Sequence, residues 1–525
     1  MSSPVRWKLL RRTLVACLPL AGVACVLVSI SSGTQVRGLD PNNPYDVKSP
    51  VKAHLRDGST VVYDDGIRVK GHTLTARRGG RRIGVLNEPL PLEPIPFDSV
   101  VGLETFERDV NGPASTLVSA VTMSVSFVVD VAAAVLIFGS CPTIYADSAG
   151  KPALQAEIFA RRISPLLEAR DIDLLHTRAD SAGVVTLDVR NEALETHYIN
   201  HLELLEVRHD PRQQVIPDEH GRPLVVGDFS APVSARDRAN RDVRATLART
   251  DRDAFITDST VLARATGEDP GDYIDLAFPR PAGDSAVIGL ELRSSLLNTV
   301  LLYDLMLAAP GARSIDWLQR DMHRIGPMIQ FGRWYRKNFG LRVAVRDGQR
   351  WREIERHPTY GPVAWRRAAT VVPVLEEDSL RVRLSFTADE WRIDWVGMSE
   401  AFTRPRPRLI GVTRVRADND SLASLAKRNL RAADDRYVQT QPGDRFWVSF
   451  DVGPAPKDST RTFLLASQGY YIEWIRGNWL KRDSGDVNTF VPSSASLEKA
   501  LHLWASQRDS ADQKFYSTRV PMRKS

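Results

Sequence analysis

The residues whose types could carry chemistry are few, and their spacing argues against most of the chemistry they suggest. His197 and His201 stand four apart with Glu195 and Glu203 close by. On a helix the two imidazoles would share a face, as zinc ligands can. On a strand rising about 3.3 Å per residue they would stand ~13 Å apart, too far to share an ion. The HExxH order is absent, and no metal ligand is assigned. Glu390 and Asp394 invite comparison with a glycosidase carboxylate pair. On a strand their backbones are again ~13 Å apart, against the roughly 5–9.5 Å between carboxyls that glycosidases use. A charge ladder with Arg392 between them is simpler, with Trp391, Ile393 and Trp395 as the core side. Cys141 is followed by Pro142 and has no histidine in its segment, so it reads as a buried thiol. Gly150-Lys151 lacks the upstream glycine and the following Ser or Thr of a phosphate loop. No GxGxxG or GxSxG occurs either, so no catalytic residue and no cofactor is assigned.

Binding chemistry is better represented. Ten of the eleven tryptophans follow residue 310. Aromatic side chains on a sheet can stack on sugar rings or anchor a protein interface. Trp351, Trp365, Trp474 and Trp479 are the candidates for a glycan or envelope-protein partner.

Other segments must place these residues relative to a membrane. Arg6, Lys8, Arg11 and Arg12 precede a charge-free run from Thr13 to Ile30, the pattern of a signal peptide or an uncleaved anchor. Cys25 follows Gly22-Val23-Ala24, which resembles a bacterial lipobox and makes Cys25 a lipidation candidate. A second apolar segment, Thr116 to Gly139, carries one charge, Asp130. About 24 residues suffice to span a bilayer. An acid near the middle costs roughly 2.5–3.5 kcal/mol and is a candidate for function or for helix packing. Lys151, Arg161 and Arg162 follow this segment, whereas Arg108 before it is offset by Glu104, Glu107 and Asp109. If the segment spans, positive charge holds the C-terminal region inside. If it does not, or if Cys25 is acylated, everything after the anchor lies outside.

Val51 to Glu107 reads as short strands with turns. Val51 to Arg56 alternates and ends at Asp57-Gly58, a hairpin dipeptide. Arg77-Arg78-Gly79-Gly80-Arg81-Arg82 is a basic turn, and Ile95 to Glu104 would return as the last strand. The order resembles a small SH3-like or Sm-like barrel. Asn42 to Pro50 reads as a linker.

Gly139-Ser140-Cys141-Pro142-Thr143-Ile144-Tyr145, directly after the apolar segment, resembles an SCPxxY junction of uncharacterised bacterial envelope proteins. Asn191 to Tyr198 is similar to the NExxExxY strand of that group, and the likeness extends in outline over residues 139–400. It implies a membrane-associated, β-rich protein and assigns no active residue.

The rest of the chain is patterned for strands with helical inserts. Val184 to Val189, Leu380 to Phe386 and Trp391 to Val396 alternate with period two. Glu195 to His209 fits either a helix, through Leu194, Tyr198, Leu202 and Leu205, or a strand. Ser294 to Ala309 is helical in spacing. Ser314 can cap a helix that Gly326-Pro327 breaks, with Met328 to Lys337 resuming.

With 525 residues, 43% hydrophobic and 26% charged, the chain can build several cores. Its 70 basic and 64 acidic residues leave +6, too balanced for a dedicated nucleic-acid binder. Three cysteines exclude a disulfide framework. The expected fold is mainly β with helical inserts (α+β): a small β-barrel, then a β-sandwich or jelly-roll region, plus one or two N-terminal membrane helices. The expected organisation is residues 1–34 as signal or anchor, 35–112 the small barrel, 113–140 a transmembrane helix, 141–310 a β-rich domain, and 311–525 a helical insert with a Trp-rich sandwich. The expected function is non-enzymatic binding or scaffolding in the bacterial cell envelope, anchored to the membrane. The alternatives are an envelope hydrolase whose acidic site is assembled from distant residues, and a membrane-complex component that uses Asp130.

Overall fold

The computed structural model describes residues 32–35, 44–48, 51–55, 60–63, 65–83, 89–90, 94–105, 141–148, 151–310 save 161 and 268, 314, 325–474 save 377, 419, 435 and 457, and 490–522 save 518 and 521. The expected anchor segments, with Cys25 and Asp130, lie outside these residues, as does Trp479. Among the described residues no helix is long and apolar enough to cross a membrane.

The N-terminal unit is two sheets over one small core. Six strands run in the order Ser32–Gln35, Val100–Thr105, Val51–Leu55, Thr60–Tyr63, Gly80–Ile83, Pro89–Leu90. Four more run Tyr45–Val47, Ile67–Lys70, Thr73–Ala76, Ile95–Pro96. Val51, Val61, Tyr63, Ile67, Val69 and Phe97 fill the space between them. The expected barrel is therefore corrected to an open pair of sheets. The edge strands Pro89–Leu90 and Ile95–Pro96 have two residues each and contain proline, which has no N–H to extend a ladder. The expected linker also holds a strand, Tyr45–Val47, paired with Ile67–Lys70.

An outer sandwich follows. One sheet orders Lys151–Glu157, Thr143–Ser148, Val184–Arg190, Arg445–Asp451 and Arg414–Ala417. The other orders Ala169–Leu175, Thr460–Glu473, Glu195–His209 and Arg408–Gly411, with Val438–Thr440 also pairing onto Glu195–His209. Ile144, Leu187, Ile199, Val448, Phe450 and Leu465 meet in the core between them. Glu195–His209 is thus a strand. It read ambiguously because both its faces are covered, which removes the polar alternation. Leu202 and Leu204 face the sandwich core, while Leu205 and Val207 face a second cluster with Val215 and Val225. A bulge between Ile199 and His201 shifts the register, so the apolar spacing imitates a helix.

An inner sandwich is nested within the outer one. Ser234–Asp237, Gly271–Pro279, Ser379–Thr387, Leu341–Asp347 and Arg350–His357 form one sheet. Arg366–Pro373, Ser285–Ser294 and Trp391–Ser399 form the other. Ile274, Phe278, Leu290, Val343, Leu384 and Trp391 are among its core residues. Ser285–Ser294 pairs with both Arg366–Pro373 and Trp391–Ser399, so strand pairing crosses the expected boundary at residue 310. The two ends of the nested unit lie side by side: Ser230 and Met398 exchange backbone hydrogen bonds of 2.8 and 2.9 Å.

Helices fill the remaining core. Leu297–Val300 continues into a π-helical segment, Leu301–Ala308, as the apolar spacing predicts for this stretch. The helix expected over Ile315 to Arg324 lies outside the described residues, and Gly326-Pro327 falls inside the helix that follows. The dipeptide stands in the first turn of Ile325–Asn338, where proline's missing N–H has no intrahelical partner to lose. Met328, Phe331 and Tyr335 from that helix reach the core. The helix Ser494–Ser517 closes the unit, packing on Leu297–Val300 and Ser259–Ala265.

Candidate cationic groove

Three adjacent strands of the outer sandwich build the groove. Val184–Arg190 pairs with Arg445–Asp451, which pairs with Arg414–Ala417. Alternation sends Leu187, Val189, Phe446, Val448 and Phe450 into the core. The same alternation leaves Thr186, Asp188, Arg445, Trp447, Ser449, Arg414 and Arg416 on the outer face. Register then sets the neighbours: Trp447 lies opposite Arg416 on one side and Asp188 on the other, and Ser449 lies opposite Arg414 and Thr186.

Two guanidinium groups lie over the Trp447 indole, Arg416 at 3.9 Å and Arg445 at 4.1 Å from its ring centre. Arg445 is fixed by a two-pronged bond to Asp188, 3.0 and 2.8 Å, and Arg190 binds the same carboxylate at 2.9 and 2.7 Å. Arg414 and Arg416 are exposed and stand about 6.6 Å apart along their strand. Lys427, exposed on the helix Asp420–Asn429, reaches the same groove. Among the described residues no carboxylate lies within ion-pairing distance of Arg414, Arg416 or Lys427. Asp180, the acid in the lining, accepts the backbone N–H groups of Ala182 and Val184 at 2.9 and 2.8 Å. Thr186 and Ser449 hydroxyls meet at 3.1 Å, and Thr413 donates to the Ser449 carbonyl at 2.8 Å. The whole is an open groove of about 430 Å³ with hydroxyls, cations and one indole.

The residues singled out from sequence are dispersed. Trp474 is 1% exposed and donates its Nε1–H to Thr196 at 2.8 Å, with the Lys52 ammonium 4.6 Å from its ring. It joins the N-terminal unit to the outer sandwich and offers no free face. Trp351 is half-buried with Arg383 and Arg346 at 4.6 and 5.4 Å. Trp365 is half-buried with Arg252 and Arg293 at 4.8 and 5.3 Å. These indoles carry guanidinium groups where a sugar would stack. Trp447 is not among the four tryptophans named from sequence, because its cationic partners come from pairing between strands. The sign that could have found it is the alternation Arg445, Trp447, Ser449 against Arg414, Arg416.

The other sequence candidates resolve as interior chemistry. His197 is buried, 3.2 Å from Glu195, and burial pushes its pKa down to about 3, so the imidazole is neutral. His201 is half-buried farther along the strand, beyond the bulge. Burial, with Glu195 and Glu157 nearby, pushes the Cys141 thiol well up, which makes it a poor nucleophile. The expected ladder at Glu390, Arg392 and Asp394 does not form. Glu390 lies just before the strand and accepts from Gly340 N and the Thr359 hydroxyl at 2.7 and 2.9 Å. Arg392 pairs with Asp389 at 2.8 Å, and Asp394 with Arg252 at 3.1 Å. Among the described residues one trio, Asp218, Glu219 and His220, could approach a metal ion, but Asp218 is already held by Arg222 and Arg404.

A second concavity lies between the two sandwiches. Glu157 is buried there; one carboxylate oxygen accepts the N–H groups of Val363 at 2.9 Å and Ala364 at 3.4 Å. Burial raises its pKa to about 7, against the pull of those bonds and of Arg293. Gly361 makes this approach possible, because a Cβ there would overlap the Glu157 carboxylate. Gly361→Ala is expected to destabilise the protein by about 1–3 kcal/mol, as overpacking does, and an unchanged denaturation midpoint would contradict the contact.

No family model and no curated protein matches the chain. Among solved structures, similarity is recorded to a GH31 alpha-xylosidase from Xanthomonas citri, 8% identical over 82% of this chain with TM-score 0.15. The chain spans 38% of that enzyme's length. Allantoicase is 10% identical over 51% of this chain and 92% of its own, also at TM-score 0.15. A chain of Sulfolobus Turreted Icosahedral Virus is 7% identical over 64% of this chain and 92% of its own, at TM-score 0.13. Likenesses at this level carry no argument about fold or function.

Proposed function

We propose that this is a membrane-anchored protein of the bacterial cell envelope that acts by binding rather than catalysis, and that its ligand is an anionic envelope glycan held in the Trp447 groove. The observation that carries the reading is the stacking of Arg416 and Arg445 on Trp447 beside Arg414 and Lys427, cations with no carboxylate partner among the described residues. An indole that already stacks with two guanidiniums is poorly placed to stack on a neutral sugar. It fixes the guanidinium groups, so less side-chain entropy is lost when their N–H edges bind carboxylate or phosphate. The row of hydroxyls suits the polar groups between charges on a polysaccharide.

Anchoring in this reading comes from Thr13 to Ile30, with or without an acyl chain on Cys25, and the described β units face the outside. Reporter fusions after Gly112, after Lys151 and at the C-terminus are expected to report the exported side together. A cytoplasmic signal from the last two would move the groove away from envelope glycans and reopen the reading in which Asp130 acts within a spanning helix.

Binding to polygalacturonate, a polyanionic glycan, is expected to exceed binding to neutral dextran and to weaken steeply between 50 and roughly 500 mM salt. The double variant Arg414→Ala/Arg416→Ala is expected to lose at least about tenfold in affinity, since hydrogen bonds to charged groups contribute roughly 1.5–3 kcal/mol each. Both positions are exposed, so the fold should tolerate the change. Equal affinity for dextran, or an unaltered double variant, would remove the basis for the proposal.

A further inference from the structure

The joint between the N-terminal unit and the outer sandwich holds a reactive pair. Lys52, on the strand Val51–Leu55, stands directly opposite Glu104 on Val100–Thr105. Both side chains are buried, and Lys52 Nζ lies 2.6 Å from Glu104 Oε2. That places the amine within about 3.5 Å of the carboxyl carbon, the separation of a near-attack pair. His54 Nε2 lies 2.5 Å from the other oxygen, Oε1, and His54 Nδ1 is 3.1 Å from the Thr60 hydroxyl. With that hydroxyl donating to Nδ1, the imidazole proton sits on Nε2 and faces Oε1. Trp474 closes the site from the outer sandwich, its ring 4.6 Å from Nζ and packed on Val62.

Two features set this pair apart from an ordinary ion pair. Holding two opposite charges in a dry interior gains little over apolar packing, because each gives up its hydration. Burial also pulls the Lys52 ammonium down, toward the neutral amine that is the nucleophile. The unit around the pair is small, with eleven buried apolar residues in its core, and the chain's three cysteines all lie outside residues 35–112. Small domains commonly need a covalent staple, and a disulfide within this one is not open to it.

We infer that Lys52 and Glu104 condense into an intramolecular amide, a covalent staple between neighbouring strands of the N-terminal unit. The step needs no co-reactant. One ammonium proton moves to Oε2, leaving a neutral amine beside a neutral acid, the forms that a dry interior favours. Nζ attacks the carboxyl carbon, and the charge that develops on Oε1 meets the His54 Nε2–H, as in an oxyanion hole. A second proton passes from Nζ to Oε2, the bond from the carboxyl carbon to Oε2 breaks, and Oε2 leaves as water. The third ammonium proton stays on the new amide. Trp474 keeps bulk water from the site, so hydrolysis lacks its reactant. The ion pair is the state before linking, and Glu104 titrates only in that state. The inference does not depend on the glycan groove.

The test is mass spectrometry of the purified full chain, digested after incubation at neutral pH. Wild-type protein is expected to yield a branched peptide in which Val51–Leu55 and Val100–Thr105 remain joined, one water lighter than the two peptides together. Lys52→Arg, which keeps the charge pair, and Glu104→Ala should give none of it. His54→Ala should slow linking about 100-fold or more, the effect of losing an oxyanion donor, read as the yield of branched peptide against time. Thermal melts establish that each variant is folded, so that a missing link is not a missing fold. Separate peptides alone from folded wild-type protein would overturn the inference, and so would a branched peptide that survives Lys52→Arg. Linking at the wild-type rate in His54→Ala would remove His54 from the step.

Discussion

Asp389→Ala is expected to cost about 3–5 kcal/mol and to release the C-terminal helix. Asp389 is fully buried, and three groups converge on its carboxylate: Trp504 Nε1 at 2.8 Å, Arg392 at 2.8 Å and Arg508 at 3.1 Å. Trp504 and Arg508 belong to the helix Ser494–Ser517, so one carboxylate fastens that helix to the inner sandwich. Removing it leaves two guanidiniums and an indole N–H without their acceptor, and uncompensated buried charge is the expensive case. The backbone adds to the loss, because Asp389 sits at φ 60°, which aspartate and asparagine tolerate better than alanine. Asp389→Asn keeps an acceptor and the backbone preference, so it should lose clearly less. Denaturant midpoints for the two variants, with limited proteolysis within residues 494–517, check this. Equal losses in Ala and Asn would show that the carboxylate does not hold the helix.

The second large effect is in the pH dependence, where buried acids and buried histidines oppose each other. Burial raises Glu157 and Glu390 to about 7. The unfolded chain ionises these groups near pH 4.5, so between about 4.5 and 7 the folded state holds the extra protons. Each glutamate therefore withdraws stability as pH rises through that window, and nothing further changes above it. Burial lowers His197 and His357 to about 3. Below pH ~6.5 the unfolded chain protonates these rings while the folded one does not, so each histidine withdraws stability as pH falls from 6.5 to 3. Two rising contributions meet three falling ones between 4.5 and 6, because burial also raises Asp272 to about 6, and the wild-type profile should slope gently downward there as pH rises. Glu390→Gln removes one falling contribution. Relative to wild type, the variant should gain up to about 3 kcal/mol between pH 4.5 and 7, at roughly 1.4 kcal/mol per pH unit. Urea unfolding at half-unit pH steps measures the difference, and a flat difference curve would mean that Glu390 is ionised throughout. Below pH 4.5 the profile should fall. In unlinked chains Glu104, whose pKa Lys52 and His54 hold at about 2 against the opposing effect of burial, then adds to the histidine loss.

What was legible in the sequence follows from which faces meet solvent. Val184–Arg190 and Ser379–Thr387 show one apolar and one polar face, and both were readable as strands. Glu195–His209 is covered on both sides and was not. The helix Ser494–Ser517 runs well past its readable core at Leu497 to Ala505, because beyond it Ala511 and Phe515 are the buried apolar positions, too sparse to mark a stripe. The candidate site needed register. Trp447 lies on a strand whose apolar residues were plain, but its partner Arg416 comes from another strand, and no local pattern announces that pairing. Glu157 and Asp173 meet Tyr360 and Trp365 only because the two sandwiches abut. The tryptophans chosen by type alone were scattered to an interior joint, a sheet face and the rim of the concavity between the sandwiches.

Nesting one sandwich inside the other also sets an order of events during synthesis. Glu195–His209 finds its main partner in Thr460–Glu473, so about 250 residues must leave the ribosome before the ladder can form. At roughly 5–20 residues per second that is an interval of about 12–50 s. The nested unit, whose ends meet at Ser230 and Met398, has all its strands within that interval and can fold as soon as residue 399 emerges. The waiting strand carries apolar residues on both faces and is a segment on which a chaperone would act. A translational pause shortly after residue 399 would let the insert fold first. A pause before Thr460 would prolong the exposure of Glu195–His209 and of Ala169–Leu175, whose ladder partner among the described residues is the same strand Thr460–Glu473.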